Sequence, residues 1–266
     1  MRVAIAGFGT IGRKVAVLLD AGIEGLELVA VSARDHDKAR NNMAALSRPV
    51  PVVSAAELAA MADVVVECVP KEAFMEIAEP ALAAGRILVT VSGAGILANP
   101  GIVDQARNSA GRIILATGAL LGLDAVRAAA EGEIHSVNMI TRKPPFSLED
   151  APYLVERDIS IDNLLEPLKV FEGTAREGAA GFPANVNVAA ALGLAGIGVD
   201  DTRLEIWADP TLDRNTHMIH VEADSARFSL SIENVPSKEN PGTGKITALS
   251  VVAALRGLVA PLHVGT

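Results

Sequence analysis

Residues 1–35 read MRVAIAGFGTIGRKVAVLLDAGIEGLELVAVSARD, and this stretch decides the fold. Val3, Ile5 and Ala6 form a short apolar run. Gly7, Gly9 and Gly12 follow in G-x-G-x-x-G spacing. Ile11, Val15, Leu18 and Leu19 then fall on one face of a helix. A second apolar run, Leu26 to Val31, comes after Gly25. Strand, glycine-rich turn, helix and strand within one short segment are the context in which this motif signals dinucleotide binding. Gly7 permits the tight turn, Gly9 lets backbone approach a pyrophosphate, and Gly12 lets helix and strand pack closely. Thr10 and Ile11 open the helix, whose first N–H groups lack internal partners and point at the anion.

The end of the second strand bears on the choice between NAD and NADP. A ribose hydroxyl is usually held there by an acid, and a 2′-phosphate by a nearby arginine. Here the residues are Ser32, Ala33, Arg34 and Asp35. Arg34 suits a phosphate, while Asp35 is the acid nearest the hydroxyls, so both cofactors stay open.

Outward from this stretch, strands and helical patterns alternate as far as Leu115. Helical runs are expected at 36–46, 55–61, 72–84 and 99–109, and strands at 64–66, 87–91 and 113–115. Ser54 with Glu57 reads as a capping box. Ser92-Gly93-Ala94-Gly95 reads as a loop. The alternation predicts a doubly wound parallel sheet, with ligands beyond its carboxyl ends. Cys68, at one such end, has no adjacent base and reads as lining of the cofactor pocket.

Near Gly118 the pattern changes to period-two segments, at 134–142, 168–175, 203–208, 217–223 and 227–233. One wet and one dry face predict a mixed, largely antiparallel sheet. Helices are expected at 123–130, at 184–195 after Pro183, and at 243–259 with Thr243 as cap. The fold class is therefore α/β: a Rossmann domain over 1–119, with a C-terminal helix (241–266) packing back on it, and a second α/β domain over 120–240.

The chain has 266 residues, half of them hydrophobic, with a formal charge of −9 and one cysteine. No basic run suggests nucleic acid, and aromatics at 3% offer few stacking platforms. No apolar run reaches membrane-spanning length without a charge or glycine. A reducing, cytoplasmic location without a leader is expected.

Several groups are placed to do chemistry. His217 and His220, three apart on a strand, point to opposite faces and cannot share a metal, so no metal site is expected. His217 is favoured as a working group because a polar loop, Asp209-Pro210 to Asp213-Arg214-Asn215, leads into it. Asn185 and Asn187 put amides in the first turns of the Pro183 helix, and an amide suits a carboxamide partner or a substrate. Gly242-Thr243-Gly244-Lys245 lacks P-loop spacing; Lys245 reads instead as a cation at a helix start, able to face an anion. Arg142, Lys143, Arg214 and Lys245 are candidate cations for an acidic substrate, and the sequence does not rank them.

Gly7 to Gly12, Gly118-Ala119-Leu120-Leu121-Gly122, Gly181-Phe182-Pro183-Ala184-Asn185-Val186-Asn187-Val188-Ala189, Asp209-Pro210 with Asn215-Thr216-His217, and Asn240-Pro241 through Thr243-Gly244 into Ile246 to Ser250 together resemble the L-aspartate dehydrogenases over nearly the whole chain. The resemblance implies a Rossmann domain plus an α/β substrate domain, usually dimeric. It implies NAD(P)-dependent oxidation of L-aspartate to iminoaspartate, which hydrolyses to oxaloacetate and ammonia or feeds NAD biosynthesis. It implies His217 as the catalytic acid/base, Asn187 as a cofactor contact, and a further contact at Ala119 or Leu121. Two rivals remain at this stage: a homoserine-type dehydrogenase or reductase, and an NAD(P)-sensing protein without turnover.

Overall fold

The computed structural model describes residues 1–183, 187–237, 239–240 and 242–265. Two compact units emerge, one of residues 1–118 with 247–263, the other of residues 119–246 with 264–266. Among the described residues no helix is long and apolar enough to cross a membrane.

In the first unit the chain runs β1 (Arg2–Ala6), α1 (Thr10–Asp20), β2 (Glu27–Ser32), α2 (His36–Asn42), α3 (Ala55–Met61), β3 (Val64–Glu67), α4 (Phe74–Ala83), β4 (Ile87–Thr90), α5 (Gly93–Ala98), α6 (Gly101–Asn108) and β5 (Arg112–Leu115). The strands are parallel in the order β2-β1-β3-β4-β5. Val52 adds a one-residue parallel bridge to Val31 of β2. β1 is the switch point, with β2 on one side and β3 on the other, and the crevice beyond its carboxyl end is where such sheets bind ligands.

Two features differ from the sequence expectation. Residues 93–98 are helical rather than a loop. A Cβ at Gly95 would lie 2.8 Å from the Phe74 ring, so this glycine serves close packing and not a turn. The 36–46 run divides into α2 and a 3₁₀ turn at Met43–Ala45. The capping box of α3 is present as read, with Ser54 and Glu57 bonded reciprocally.

The second unit holds α7 (Leu123–Ala129), β6 (Ile134–Lys143), α8 (Pro152–Glu156), β7 (Leu168–Thr174), α9 (Ala175–Gly181), α10 (Asn187–Ala195), β8 (Thr202–Ala208), β9 (Thr216–Ala223) and β10 (Arg227–Glu233). Its sheet runs β10-β9-β6-β8-β7, antiparallel except for β6 beside β8. Val137, Met139, Thr141 and Lys143 alternate onto the buried face of β6, and His217, Ile219 and Val221 onto that of β9. α10 packs against α7 and α9, α8 packs against α9, and α9 and α10 lie on β8, with α9 also on β7.

α11 (Lys245–Gly257) starts two residues later than expected, so Gly244 and not Thr243 precedes it. Its buried residues Ala248, Val251, Val252 and Leu255 join the core of the first unit, with Val3, Ile5 and Val15.

The three glycines of the motif differ in what they tolerate. A Cβ at Gly12 would meet the Gly7 carbonyl oxygen at 2.0 Å, and one at Gly7 (φ 88°) the Cys68 carbonyl oxygen at 2.4 Å. At Gly9 a Cβ would meet nothing within 4 Å. Gly12→Ala should therefore cost about 2–4 kcal/mol through forced separation of α1 from the turn. That lowers Tm by roughly 5–15 °C in a thermal scan, whereas Gly9→Ala leaves Tm within roughly 2 °C.

Candidate active site

At the carboxyl end of β1, the turn carrying Gly7, Gly9, Thr10, Ile11 and Gly12 leads into α1. Gly9 is the N-cap in an extended conformation. No side chain caps the first-turn N–H groups and no acid stands among them. With space open above Gly9, this N-terminus fits a pyrophosphate: bare donors, a favourable dipole and no Cβ in the way. Arg34 is exposed in the bend that follows β2. Asp35 has a structural task, since its carboxylate accepts the Lys38 N–H at 2.9 Å as cap of α2. Cys68 follows β3, and burial together with the neighbouring Glu67 pushes its thiol above the usual range.

Glu67 escapes a sequence reading, although it is the one charged residue of Val-Val-Val-Glu. It is fully buried at the end of β3. Its carboxylate accepts the Thr90 hydroxyl at 2.5 Å and the Val69 N–H at 2.8 Å, and Thr90 in turn accepts the Ser92 N–H. Burial raises its pKa, and these bonds oppose the rise. The carboxylate thus ties together the two loops that leave β3 and β4.

In the second unit, His217 stands near the start of β9, only 3% exposed. The ladder sets it opposite Thr141 of β6 and Ile232 of β10. Its Nδ1 lies 3.1 Å from Thr141 Oγ1. Burial first, and the charge of Lys143 second, lower its pKa to about 3, so the ring is neutral at pH 7. His220 faces the other side and bonds Ser229 at 2.8 Å. Among the described residues no group of three His, Cys, Asp or Glu side chains could hold a metal.

Loops gather at this end of the sheet. Gly118 and Gly122, both with positive φ, bracket Ala119 and Leu121. Asn234, just beyond β10, donates its amide to the Ala119 carbonyl at 3.0 Å and its backbone N–H to the Asn215 carbonyl at 2.8 Å. It therefore fixes two loops at once. Asn187 is exposed in the first turn of α10, and Lys245 is exposed at the start of α11. Asn185 lies outside the described residues. Gly7 to Gly12, Arg34 and Cys68 thus collect at one end of the first sheet. His217 stands in the second unit, where Ala119 and Leu121 join it through the loop that Asn234 fixes.

Comparison with known proteins bears on what these sites serve. Residues 124–258 match the family described as aspartate dehydrogenase, C-terminal. Residues 7–116 match the NAD-binding domain of homoserine dehydrogenase. The chain is 58% identical to L-aspartate dehydrogenase of Bradyrhizobium diazoefficiens, over 100% of this chain and 94% of that one. This chain belongs to the L-aspartate dehydrogenase family. It is also 52% identical to L-aspartate dehydrogenase 3 of Bordetella bronchiseptica, over 99% of this chain and 97% of that one. The crystal structure of the family member from Thermotoga maritima superposes with a TM-score of 0.76 at 25% identity, covering 100% of this chain and 99% of that one.

Thr141 and Asn234 were not singled out from sequence. Thr141 gives a weak signal, a hydroxyl on the dry face of an alternating strand. Asn234 gives almost none, because its role depends on where two distant loops end.

The buried ring has a consequence for stability. Its folded pKa of about 3 lies below the ordinary value of 6.5, so in acid the unfolded chain binds a proton that the folded chain refuses. The contribution of a neutral His217 is complete above pH 6.5 and lost as pH falls. In urea unfolding, the wild type should lose about 1.4 kcal/mol per pH unit below 6.5 relative to His217→Gln. Parallel pH profiles for the two proteins would contradict this.

Proposed function

We propose that this chain catalyses the reversible NAD(P)-dependent oxidative deamination of L-aspartate to iminoaspartate, and so to oxaloacetate and ammonia, with His217 as general acid/base. One observation carries the reading. A neutral, hydroxyl-held imidazole stands on the dry face of the second sheet, in a chain related over its whole length to L-aspartate dehydrogenases.

The nicotinamide, when bound, accepts the C2 hydrogen of the substrate as hydride. The chain's own residues handle protons and position. C2–H cleavage needs a neutral amine, so the substrate ammonium must first lose a proton. A neutral imidazole can take it. For that, Nδ1 carries the hydrogen and donates it to Thr141 Oγ1, leaving Nε2 as acceptor; the bond at one nitrogen selects the tautomer at the other. Once that proton has passed to solvent, the same ring can take a proton from water as it adds to C2 and return it to the amine nitrogen, so that ammonia leaves.

The first domain, taken as 1–119 with the C-terminal helix, is the dinucleotide domain in this reading, and 120–240 the substrate domain. The α1 N-terminus takes the pyrophosphate, and Asn187 and the 119–121 loop make further cofactor contacts. Asn185 and Lys245 are held for the substrate. Exposed Arg34 supports use of NADP, and nothing at Ser32 bars NAD. The resemblance further supports a homodimer, a cytoplasmic location and a supply of iminoaspartate to NAD biosynthesis.

A panel of amino acids with NAD and with NADP, followed by absorbance of the reduced cofactor, tests this. Aspartate should be oxidised and homoserine not; cofactor binding without turnover of any amino or hydroxy acid would sink the proposal. His217→Ala should lower kcat by on the order of a hundredfold or more, with dinucleotide Kd unchanged within about threefold. Arg34→Ala should raise KM for NADP by roughly tenfold or more and leave that for NAD nearly as it was.

A further inference from the structure

The geometry of the second sheet points to Lys143 as the cation that anchors a carboxylate of the substrate beside His217. This rests on the aspartate reading above and ranks the four cations that sequence leaves equal.

Strand alternation does the first sorting. Thr141 and Lys143 are two residues apart on β6 and share its buried face, one pleat, or about 7 Å, apart. Thr141 holds His217, so Lys143 stands next to the ring on the same face, at the end of the sheet where the loops gather. It is 3% exposed. The other three cations are more exposed. Arg142 has the opposite parity, stacks over Trp207 at 4.7 Å and pairs with Asp209 at 3.3 Å. Arg214 pairs with its neighbour Asp213 at 2.8 Å. Lys245 is exposed.

The electrostatics agree with this placement. Burial lowers Lys143 to about 8, so near neutral pH it still carries its charge. That charge acts on His217 and, after burial, is the second cause of the ring's depressed pKa. Among the described residues, the titratable neighbours from the surrounding elements are these. β9 brings His217. The segment after β8 brings Asp209, whose backbone N–H donates to the Lys143 carbonyl at 2.7 Å. Burial pulls the Asp209 carboxyl up, but bonds from Thr211 and Arg142 hold it below its ordinary value, so it is ionised and already engaged. α10 contributes no titratable side chain.

Two positive groups cannot both be protonated cheaply in one dry site. An incoming carboxylate at Lys143 Nζ changes that balance. It stabilises the ammonium and offsets its field at the ring, so the imidazole gains proton affinity when substrate is present to be deprotonated. A group of this kind selects acidic substrates and readies the base with the same charge.

Succinate, a dicarboxylate with no amine to titrate, is the probe, added to the full chain with NADH present and followed by calorimetry from pH 6 to 10. In the wild type its Kd should weaken by about tenfold per pH unit above about 8, as Lys143 loses its proton. Lys143→Met should weaken succinate by roughly 10- to 100-fold at pH 7 and flatten that dependence, with NADH affinity unchanged. Lys143→Arg, which keeps the charge, should bind succinate with no loss between pH 8 and 10. Succinate binding in the wild type that is flat to pH 10, or undiminished in Lys143→Met, overturns the assignment while aspartate oxidation still stands. A wild type that neither binds succinate nor oxidises aspartate removes the aspartate reading, and this inference with it.

Discussion

The register between β6 and β9 is the constraint on which the second unit depends. A strand turns every second side chain to the same face, so a slip of one residue would send His217 to the wet side and Met218 into the core. Seven consecutive pairs from Ser136↔Glu222 to Arg142↔Thr216 prevent that slip. Ile219 and Val221 of β9, with Val137 and Met139 of β6, fill the dry face below the imidazole. The apolar pairs fix the register, and the register then delivers the Thr141 hydroxyl to Nδ1. Packing and chemistry are here one arrangement. The same residues that exclude water from the core also keep the ring neutral.

The first unit meets a different constraint, close approach of backbones. In a parallel sheet covered on both faces the strands are apolar throughout, and β3 is buried along its whole length. Glu67 ends that strand, and a charged group in such a place requires hydrogen bonds from every side. It receives them from Thr90 and Val69, which fastens the loops beyond two adjacent strands. The Gly7 turn approaches those loops so closely that a Cβ would strike the Cys68 carbonyl. At this turn the carboxyl end of the sheet is therefore shaped by backbone packed on backbone.

How much of this a reader of the sequence can see follows from the range of each interaction. β10 was bounded at Arg227 and Glu233, because strict alternation is a local signal. The box at Ser54 and Glu57 was equally local. Thr174 with Glu177 makes a second such box and starts α9, but it sits against the end of an alternating strand, whose pattern masks it. α5 has no local sign in Ser92 to Gly95, because Gly95 makes room for the Phe74 ring some twenty residues away. The pairing of Thr141 with His217 spans 76 residues. Each strand declares its own two faces, but not which residue of the other will lie opposite. Likewise Lys143 and Arg142 are adjacent in sequence and look alike there. Strand parity sends them to opposite faces, and burial shows which face is dry: Lys143 is drawn under the sheet and Arg142 is laid across Trp207.

A formal charge of −9 sits oddly with ligands that are themselves anions, a dinucleotide and a dicarboxylate, until the local fields are considered. Net charge acts at long range and is screened beyond about 8–10 Å at physiological salt, whereas fixed dipoles and buried charges act at contact. The two units solve the problem separately. The first unit presents the uncapped N–H groups of α1 at its turn, with no acid in the first turn. These donors belong to the backbone, so they require no side-chain ordering and cannot be titrated away. The second unit holds a buried ammonium and an imidazole kept neutral beside it, and these do titrate. A diphosphate bridge stays charged at every pH of interest, and a permanent dipole suffices to hold it. A substrate that must surrender a proton needs a partner whose own proton affinity can move, and only side chains provide that.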